Sequence, residues 1–108
     1  MGMEWKPATV EQVKRIVQDD LYTCDEEQLA AFSKNRVEPH SAPIFRYGKR
    51  ETVLVVAENG KEVIYWEDAE EGFNVSPVAS DGTILEHWCN QDRFGKCARR
   101  LDSGTGTA

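Results

Sequence analysis

The chain has no apolar run long enough to cross a bilayer and too few cysteines for a disulfide framework. None of its apolar stretches approaches the roughly 20 residues of a membrane-spanning helix, and its N-terminus lacks the basic start and apolar run of a signal peptide. Cys24, Cys89 and Cys97 show no CxxC spacing. We therefore expect a cytoplasmic protein with reduced thiols and no membrane association.

Basic residues are scarce in one part of the chain, which carries a net charge of −6. Residues 51–88 contain nine acidic residues and one base, Lys61. Residues 1–50 contain eight residues of each sign, and residues 89–108 contain four bases and two acids. A negative field repels a phosphate backbone, so we expect no nucleic-acid partner.

The length and composition predict one globular domain. The chain has 108 residues, of which 40% are hydrophobic and 30% are charged, as is ordinary for a globular protein with one modest core. We place the domain at residues 1–101 and expect the small, polar tail, residues 102–108, to be disordered. The composition gives no indication of a cofactor.

Two short helices are predicted near the N-terminus. Thr9 and Gln12 fit a capping box, in which side chains satisfy free backbone donors at a helix start. Apolar residues then recur at helical spacing as far as Leu21. Thr23 with Glu26 repeats the capping signature for a second helix. The chain is expected to leave this pair of helices through a proline-containing loop, residues 35–43.

From residue 44 onward the pattern is typical of strands. Residues 44–47 form a short candidate strand, and residues 52–58 and 61–67 flank Asn59-Gly60, a pair that suits a two-residue hairpin turn. With Asn59-Gly60 as the loop, Val53 faces Trp66 and Val55 faces Ile64.

This central hairpin is apolar on both faces. An antiparallel sheet commonly buries only one of its faces. Either helices cover both sides, or a partner or a second copy of the chain covers one of them. The second case gives the hypothesis of a homodimer formed through the open face of the sheet.

A second hairpin and a last helix complete the predicted fold. Residues 73–79 and 83–89 are expected to pair around Ser80-Asp81-Gly82, with Ala79 facing Ile84 when Asp81-Gly82 is the loop. Asn90 would cap a helix over residues 91–101. The predicted class is α+β, with two N-terminal helices, a four- to five-stranded antiparallel meander sheet and one C-terminal helix.

The acidic loop that follows the central hairpin is the first candidate site. A basic protein could be recognised there through complementary charge, and the alternatives are a solvated loop or a Mg²⁺ or Ca²⁺ site. The spacing does not fit an EF-hand, and we predict no metal ligands. The candidate partner-binding residues are Tyr65, Trp66, Glu67, Asp68, Glu70 and Glu71.

His87 is the centre of two weaker candidates. With Cys89 and Cys97 it offers zinc-type ligands, although no paired CxxC and no fourth ligand accompany them. With Ser76 and Asn74 it would place a base, a nucleophile and an orienting group on one sheet face. No nucleophile elbow, phosphate-binding glycine loop or HExxH motif is present.

The tryptophans could stack on a ligand, but in so short a chain they are more often part of the core. We expect Trp66 and Trp88 to be mostly buried and Trp5 to pack loosely.

The leading hypothesis is therefore a small acidic protein-binding domain, rather than an enzyme, that recognises a basic partner through its acidic sheet and loop. An inhibitor or immunity-type role against a cationic enzyme is one version of it. The alternatives are a small metal-binding or hydrolytic enzyme centred on His87 and a homodimeric structural domain.

Overall fold

A computed structural model describes residues 8–46, 48–67, 72–85 and 94–102. Their elements are α1 (Val10–Leu21), α2 (Glu26–Asn35), β1 (Arg36–Arg46), β2 (Lys49–Asn59), β3 (Glu62–Glu67), β4 (Gly72–Pro77) and α3 (Phe94–Asp102). The strands form one sheet in the order β1-β2-β3-β4, and each neighbouring pair is antiparallel. The predicted α+β class and four-stranded antiparallel meander are confirmed. Of the helix predicted over residues 91–101, the first three residues lie outside the described ranges, as do Trp5, Trp88 and the tail from residue 103.

Both N-terminal helices begin with a capping box, but only the first begins at the predicted residue. The Thr9 hydroxyl accepts a hydrogen bond from the Gln12 amide at 3.1 Å, as predicted. The cap of α2 is Asp25, whose carboxylate accepts from the Gln28 amide at 2.8 Å, so the prediction of Thr23 was wrong. The Thr23 hydroxyl instead donates to the carbonyl of Asp20 and helps to close the end of α1.

The predicted loop over residues 35–43 was also wrong, because most of it lies in β1. This 11-residue strand pairs with β2 alone among the named strands. Such an edge strand tolerates proline, which has no backbone N–H group. Its register shifts between Arg36 and His40, around Pro39. The carbonyl of Pro43 accepts a hydrogen bond from the Ile84 amide at 2.8 Å. Proline therefore marks an irregular outer strand here. Residues 44–46 of the separate strand predicted at residues 44–47 form its end, and residue 47 lies outside the described residues.

The register of the central hairpin differs from the predicted one. Asn59 pairs with Glu62, so Gly60 and Lys61 form the two-residue loop, and Gly60 has a φ of 64°. A second shift follows between Val55 and Ala57. The predicted pairing of Val55 with Ile64 was wrong, since Ile64 pairs with Ala57. This β-bulge gives β2 one extra residue. Both faces of the hairpin are apolar, as predicted.

The helices cover one face of the sheet. Their apolar side chains pack there against β2, β3 and β4 in a single buried cluster. Its centre is aromatic: the Phe73 ring lies 4.9 Å from Phe94 and 5.1 Å from Trp66, both edge-to-face. The predicted burial of Trp66 is confirmed, since 7% of its surface is exposed.

The opposite face encloses a second apolar cluster that the helices do not cover. The cluster contains Ile44, Val55, Val63, Tyr65 and Ile84, among others. The Ile84 amide donates to β1, and the Leu85 amide donates to the carbonyl of Pro77 at the end of β4. Residues 84–85 thus join the two outer strands, and the sheet curls around its own inner face.

Of the strand predicted at residues 83–89, the structure describes residues 83–85. They contain isolated β-bridges at Ile84, and residues 86–89 lie outside the described residues. Ile84 bridges Val78 rather than Ala79, so the pairing predicted with a two-residue loop was wrong. The loop has three residues: the Ala79 amide donates to the carbonyl of Thr83, and Gly82 takes a φ of 88°.

Candidate functional site

The predicted partner-binding residues divide into a buried group and a group outside the described ranges. Tyr65, Trp66 and Glu67 are exposed by 0%, 7% and 1% of their surface. Asp68, Glu70 and Glu71 lie outside the described residues. The three described side chains therefore present almost no contact area, and binding through this loop stays a prediction.

The polar sheet face around Ser76 is closed to solvent in the structure. Ser76 is fully buried, and its hydroxyl donates to the carbonyl of Pro77 at 2.7 Å. The Asn74 amide donates to the Tyr65 hydroxyl at 3.4 Å. His87 and Cys89 lie outside the described residues. Ser76 and Asn74 are therefore part of the protein interior. The Ser76 hydroxyl is not accessible to a substrate in this structure.

Metal-ligating side chains do not converge in the part of the chain that the structure describes. No group of three or more His, Cys, Asp or Glu residues is placed there to hold an ion. Cys97 is buried in the aromatic cluster, where its thiol donates to the carbonyl of Phe73 at 3.6 Å. It behaves there as a small apolar side chain. Within the same described ranges, no helix is long and apolar enough to span a membrane.

A cleft of about 540 Å³ opens between two turns at one end of the sheet. The β2–β3 turn supplies Lys61, the loop after β4 supplies Ser80, and Val63 and Val78 form its apolar part. Glu58 also lines the cleft, and its carboxylate lies 2.7 Å from the His40 Nε2 atom. The lining charges have opposite signs, so the cleft does not select an anion or a cation.

The connection between α1 and α2 is rich in acidic residues. Residues 16–33 contain five acidic residues and no base. We call these five carboxylates, with Tyr22 and Leu29, the acidic corner; the carboxylates are Asp19, Asp20, Asp25, Glu26 and Glu27. Four of the five are exposed and Asp20 is partly buried.

Helix polarity favours only part of the acidic corner. Asp25 caps α2, and Glu26 and Glu27 lie in its first turn, where the positive end of the helix favours carboxylates. Asp19 and Asp20 lie at the end of α1, where the negative helix end disfavours them and the last turn contains no base. Residues that oppose local stability in this way are typical of binding sites.

The crowding of negative charge perturbs nearby titrating groups. Partial burial, and then the charge of Asp19, raises the pKa of Asp20. Burial followed by Asp20 and Asp25 raises the pKa of the Cys24 thiol, which donates to the carbonyl of Asp20 at 3.4 Å. Partial burial is the larger cause of both shifts, and the neighbouring carboxylates add to it.

Tyr22 lies between Asp20 and Asp25 in the sequence and offers an exposed aromatic ring. It follows the last residue of α1 and is 83% exposed. Leu29, in the second turn of α2, is 39% exposed. Tyrosine is enriched among the residues that dominate protein–protein affinity, and an exposed tyrosine among acidic groups is suited to basic and apolar contacts together.

A comparison of charge over long segments of the sequence conceals the acidic corner. Eight acids and eight bases balance over residues 1–50. The signal was nevertheless present, since no base occurs between Arg15 and Lys34. A count over about 18 residues would have found the acidic corner, but not the exposure of Tyr22.

Comparison with known proteins gives no relative for this chain: no family model matches it, and no curated protein and no solved structure is significantly similar to it.

Proposed function

We propose that this chain is a protein-binding domain that recognises a basic partner protein. The observation that carries the proposal is the exposure of Tyr22 in a stretch of sequence that contains five acidic residues and no base. An inhibitor or immunity-type role against a cationic enzyme is one version of it. The acidic corner takes the place of the acidic loop at residues 67–71 as the proposed contact surface.

Two physical arguments support a basic protein as the occupant. Opposite charge steers encounter and determines which partners are accepted. The exposed apolar area of Tyr22 and Leu29 offers contacts that a small metal cation does not use. A protein surface with lysine or arginine around an apolar residue satisfies both features.

Affinity capture with three forms of the chain tests this proposal. The wild type is compared with Tyr22→Ala and with a control that neutralises acids elsewhere, Glu11→Gln with Glu38→Gln. Both control residues are exposed and lie outside the acidic corner. Bound proteins are quantified by mass spectrometry at about 0.1 M salt, where exposed charges still interact over about 10 Å.

The expected result is a set of basic proteins held by the wild type and the control but lost with Tyr22→Ala. That substitution leaves the net charge unchanged, so loss with it separates specific recognition from general electrostatic attraction. Equal recovery with all three forms would contradict recognition through the acidic corner.

A further inference from the structure

The described residues contain a second surface of opposite charge at the turn between β1 and β2. Residues 39–50 contain three bases and no acid, in a chain whose net charge is −6. Of these bases Lys49 and Arg50 are exposed, and Asp81 lies within electrostatic range of Arg50. Phe45 pairs across the strands with Arg50, and the Arg50 guanidinium lies 5.9 Å from the centre of the Phe45 ring. We call Phe45, Lys49, Arg50 and Leu85 the basic tip.

The closure of the sheet explains why the basic tip has an apolar centre. Ile44 and Ile84 form a parallel bridge and are both buried, at 0% and 3% exposure. Because side chains alternate along extended chain, the next residues, Phe45 and Leu85, face outward together. Their exposed fractions are 59% and 55%.

The large apolar side chains exposed in the described part of the chain fall into two pairs. Tyr22 and Leu29 lie in the acidic stretch of the sequence. Phe45 pairs with Arg50 across β1 and β2, and Leu85 follows Ile84, which bridges β1 at Ile44. Each pair combines one aromatic and one aliphatic side chain. Since all four are exposed, neither surface is covered by the other within one molecule.

We propose that copies of this chain associate head to tail, with the basic tip of one copy on the acidic corner of the next. The occupant of the basic tip is thus a second copy, and the argument for it is the match of charge and of apolar character between the two surfaces. The inference shares the acidic corner with the proposed function. A basic partner and a second copy would compete for it.

The geometry of this contact determines how association depends on concentration. Two different surfaces meet, so each complex retains one free surface of each kind, and growth does not stop at a dimer unless a ring closes. Both surfaces are exposed and charged, so the contact is weak and sensitive to salt. We expect a dissociation constant on the order of 1 mM.

Sedimentation equilibrium of the full chain tests the proposal. At about 1 mM protein and about 0.05 M salt, the weight-average mass should be about twice the monomer mass and still rising. At about 0.5 M salt it should return to the monomer mass, because screening shortens the range of the charges. A monomer mass at both salt concentrations would overturn the inference.

Two complementary variants show which surfaces meet. The tip variant is Phe45→Ala with Arg50→Ala, and the corner variant is Tyr22→Ala with Glu27→Gln. Each alone is expected to stay monomeric. An equimolar mixture contains one intact tip and one intact corner, so its mass should rise and reach a plateau at a 1:1 pair.

Two results would overturn the head-to-tail arrangement: association of either variant alone, or a monomeric mixture. Thermal melting of each variant verifies its fold. Should the tip variant melt early, Lys49→Gln with Arg50→Gln takes its place, since this pair changes only exposed charges.

The sedimentation experiment and the affinity-capture experiment test the two proposals separately. A monomeric wild type that loses its basic partner with Tyr22→Ala would overturn self-association and leave the proposed function intact. Conversely, self-association without capture of a basic protein would leave the second copy as the occupant of the acidic corner.

Discussion

The side-chain amide of Asn59 donates a hydrogen bond to the backbone carbonyl of Leu101 at 2.7 Å. Asn59 lies at the end of β2, and Leu101 lies in the last turn of α3. Carbonyl groups at the end of a helix have no partner within the helix. Asn59 therefore connects the central hairpin to α3 by satisfying one of them.

Asn59→Ala is expected to lower the free energy of unfolding by about 1–2 kcal/mol, because the partly buried Leu101 carbonyl loses its donor. The melting temperature of a domain of this size should fall by roughly 4–16 °C. Chemical and thermal unfolding measure both quantities. Asn59→Asp is the matched control, since aspartate also suits turns but does not donate. An aspartate variant as stable as the wild type would contradict the role of the amide.

This bond also explains why the hairpin register could not be predicted. Asn-Gly is the strongest short signal for a two-residue loop because both residues tolerate positive φ. Asn59 instead ends the strand and uses its side chain on α3, while Gly60 and Lys61 form the loop. The alternative use of Asn59 lies 42 residues away in the sequence, and local patterns do not detect it.

The local signal at the start of α1 was correct, whereas the equally local one at Thr23 was not, because Asp25 caps α2. The capping box at Thr9 depends only on atoms within one helical turn and was predicted correctly. The apolar character of both central faces also follows from the residues themselves. Strand β1 was missed because Pro39 and Pro43 favour a loop unless an irregular outer strand accommodates them. The exposure of Tyr22 could not be predicted because it depends on the packing of two helices.

The close approach of α3 to the capping box of α2 gives the second prediction. A Cβ atom on Gly95 would lie 2.5 Å from the Gln28 Oε1 atom, and the same oxygen accepts from the Asp25 amide. Gly95→Ala should therefore displace the flexible Gln28 side chain and break its hydrogen bond to the Asp25 amide. This loss should offset the gain of about 1 kcal/mol that alanine brings to a helix. Equilibrium unfolding in denaturant measures the change.

Gln28→Ala supplies the control for this clash. It removes the capping box but leaves space for a methyl group at position 95. In that background Gly95→Ala should be neutral or stabilising, and a double-mutant cycle gives the coupling. If Gly95→Ala changes the free energy of unfolding equally in both backgrounds, the contact with Gln28 does not determine its effect.

Closure of the sheet by Ile84 gives the third prediction. Ile84→Ala should cost about 2–5 kcal/mol, because it leaves a cavity inside the second apolar cluster. Leu85→Ala changes the neighbouring residue, which is 55% exposed, and should stay within about 0.5 kcal/mol of the wild type. Urea unfolding distinguishes the two. Similar losses at both positions would contradict the inward placement of Ile84.

We expect the Asp20 carboxylate to lower the stability of the fold while it contributes to binding at the acidic corner. Asp20→Asn removes a charge from the negative end of α1 and should raise stability by a few tenths of a kcal/mol. Burial raises the folded-state pKa of Asp20 above its ordinary value of 3.8. The charged form is therefore the one that folding disfavours. The gain should be present above the folded-state pKa and disappear as the pH falls towards 3.8.

Unfolding curves of both forms at several pH values test this sign. The same substitution should weaken capture of basic proteins, since it removes one carboxylate from the acidic corner. An asparagine variant that is less stable than the wild type at neutral pH would contradict the account of Asp20.

The affinity of the chain for the basic protein that it captures most strongly is the most direct test of the central claim. Calorimetric titration of that protein with the wild type and with Tyr22→Ala would measure the affinity, at low protein concentration and about 0.1 M salt. The account predicts at least about a 30-fold weaker affinity for Tyr22→Ala, as for a tyrosine that dominates an interface. Equal affinities for the two forms would contradict recognition through the acidic corner.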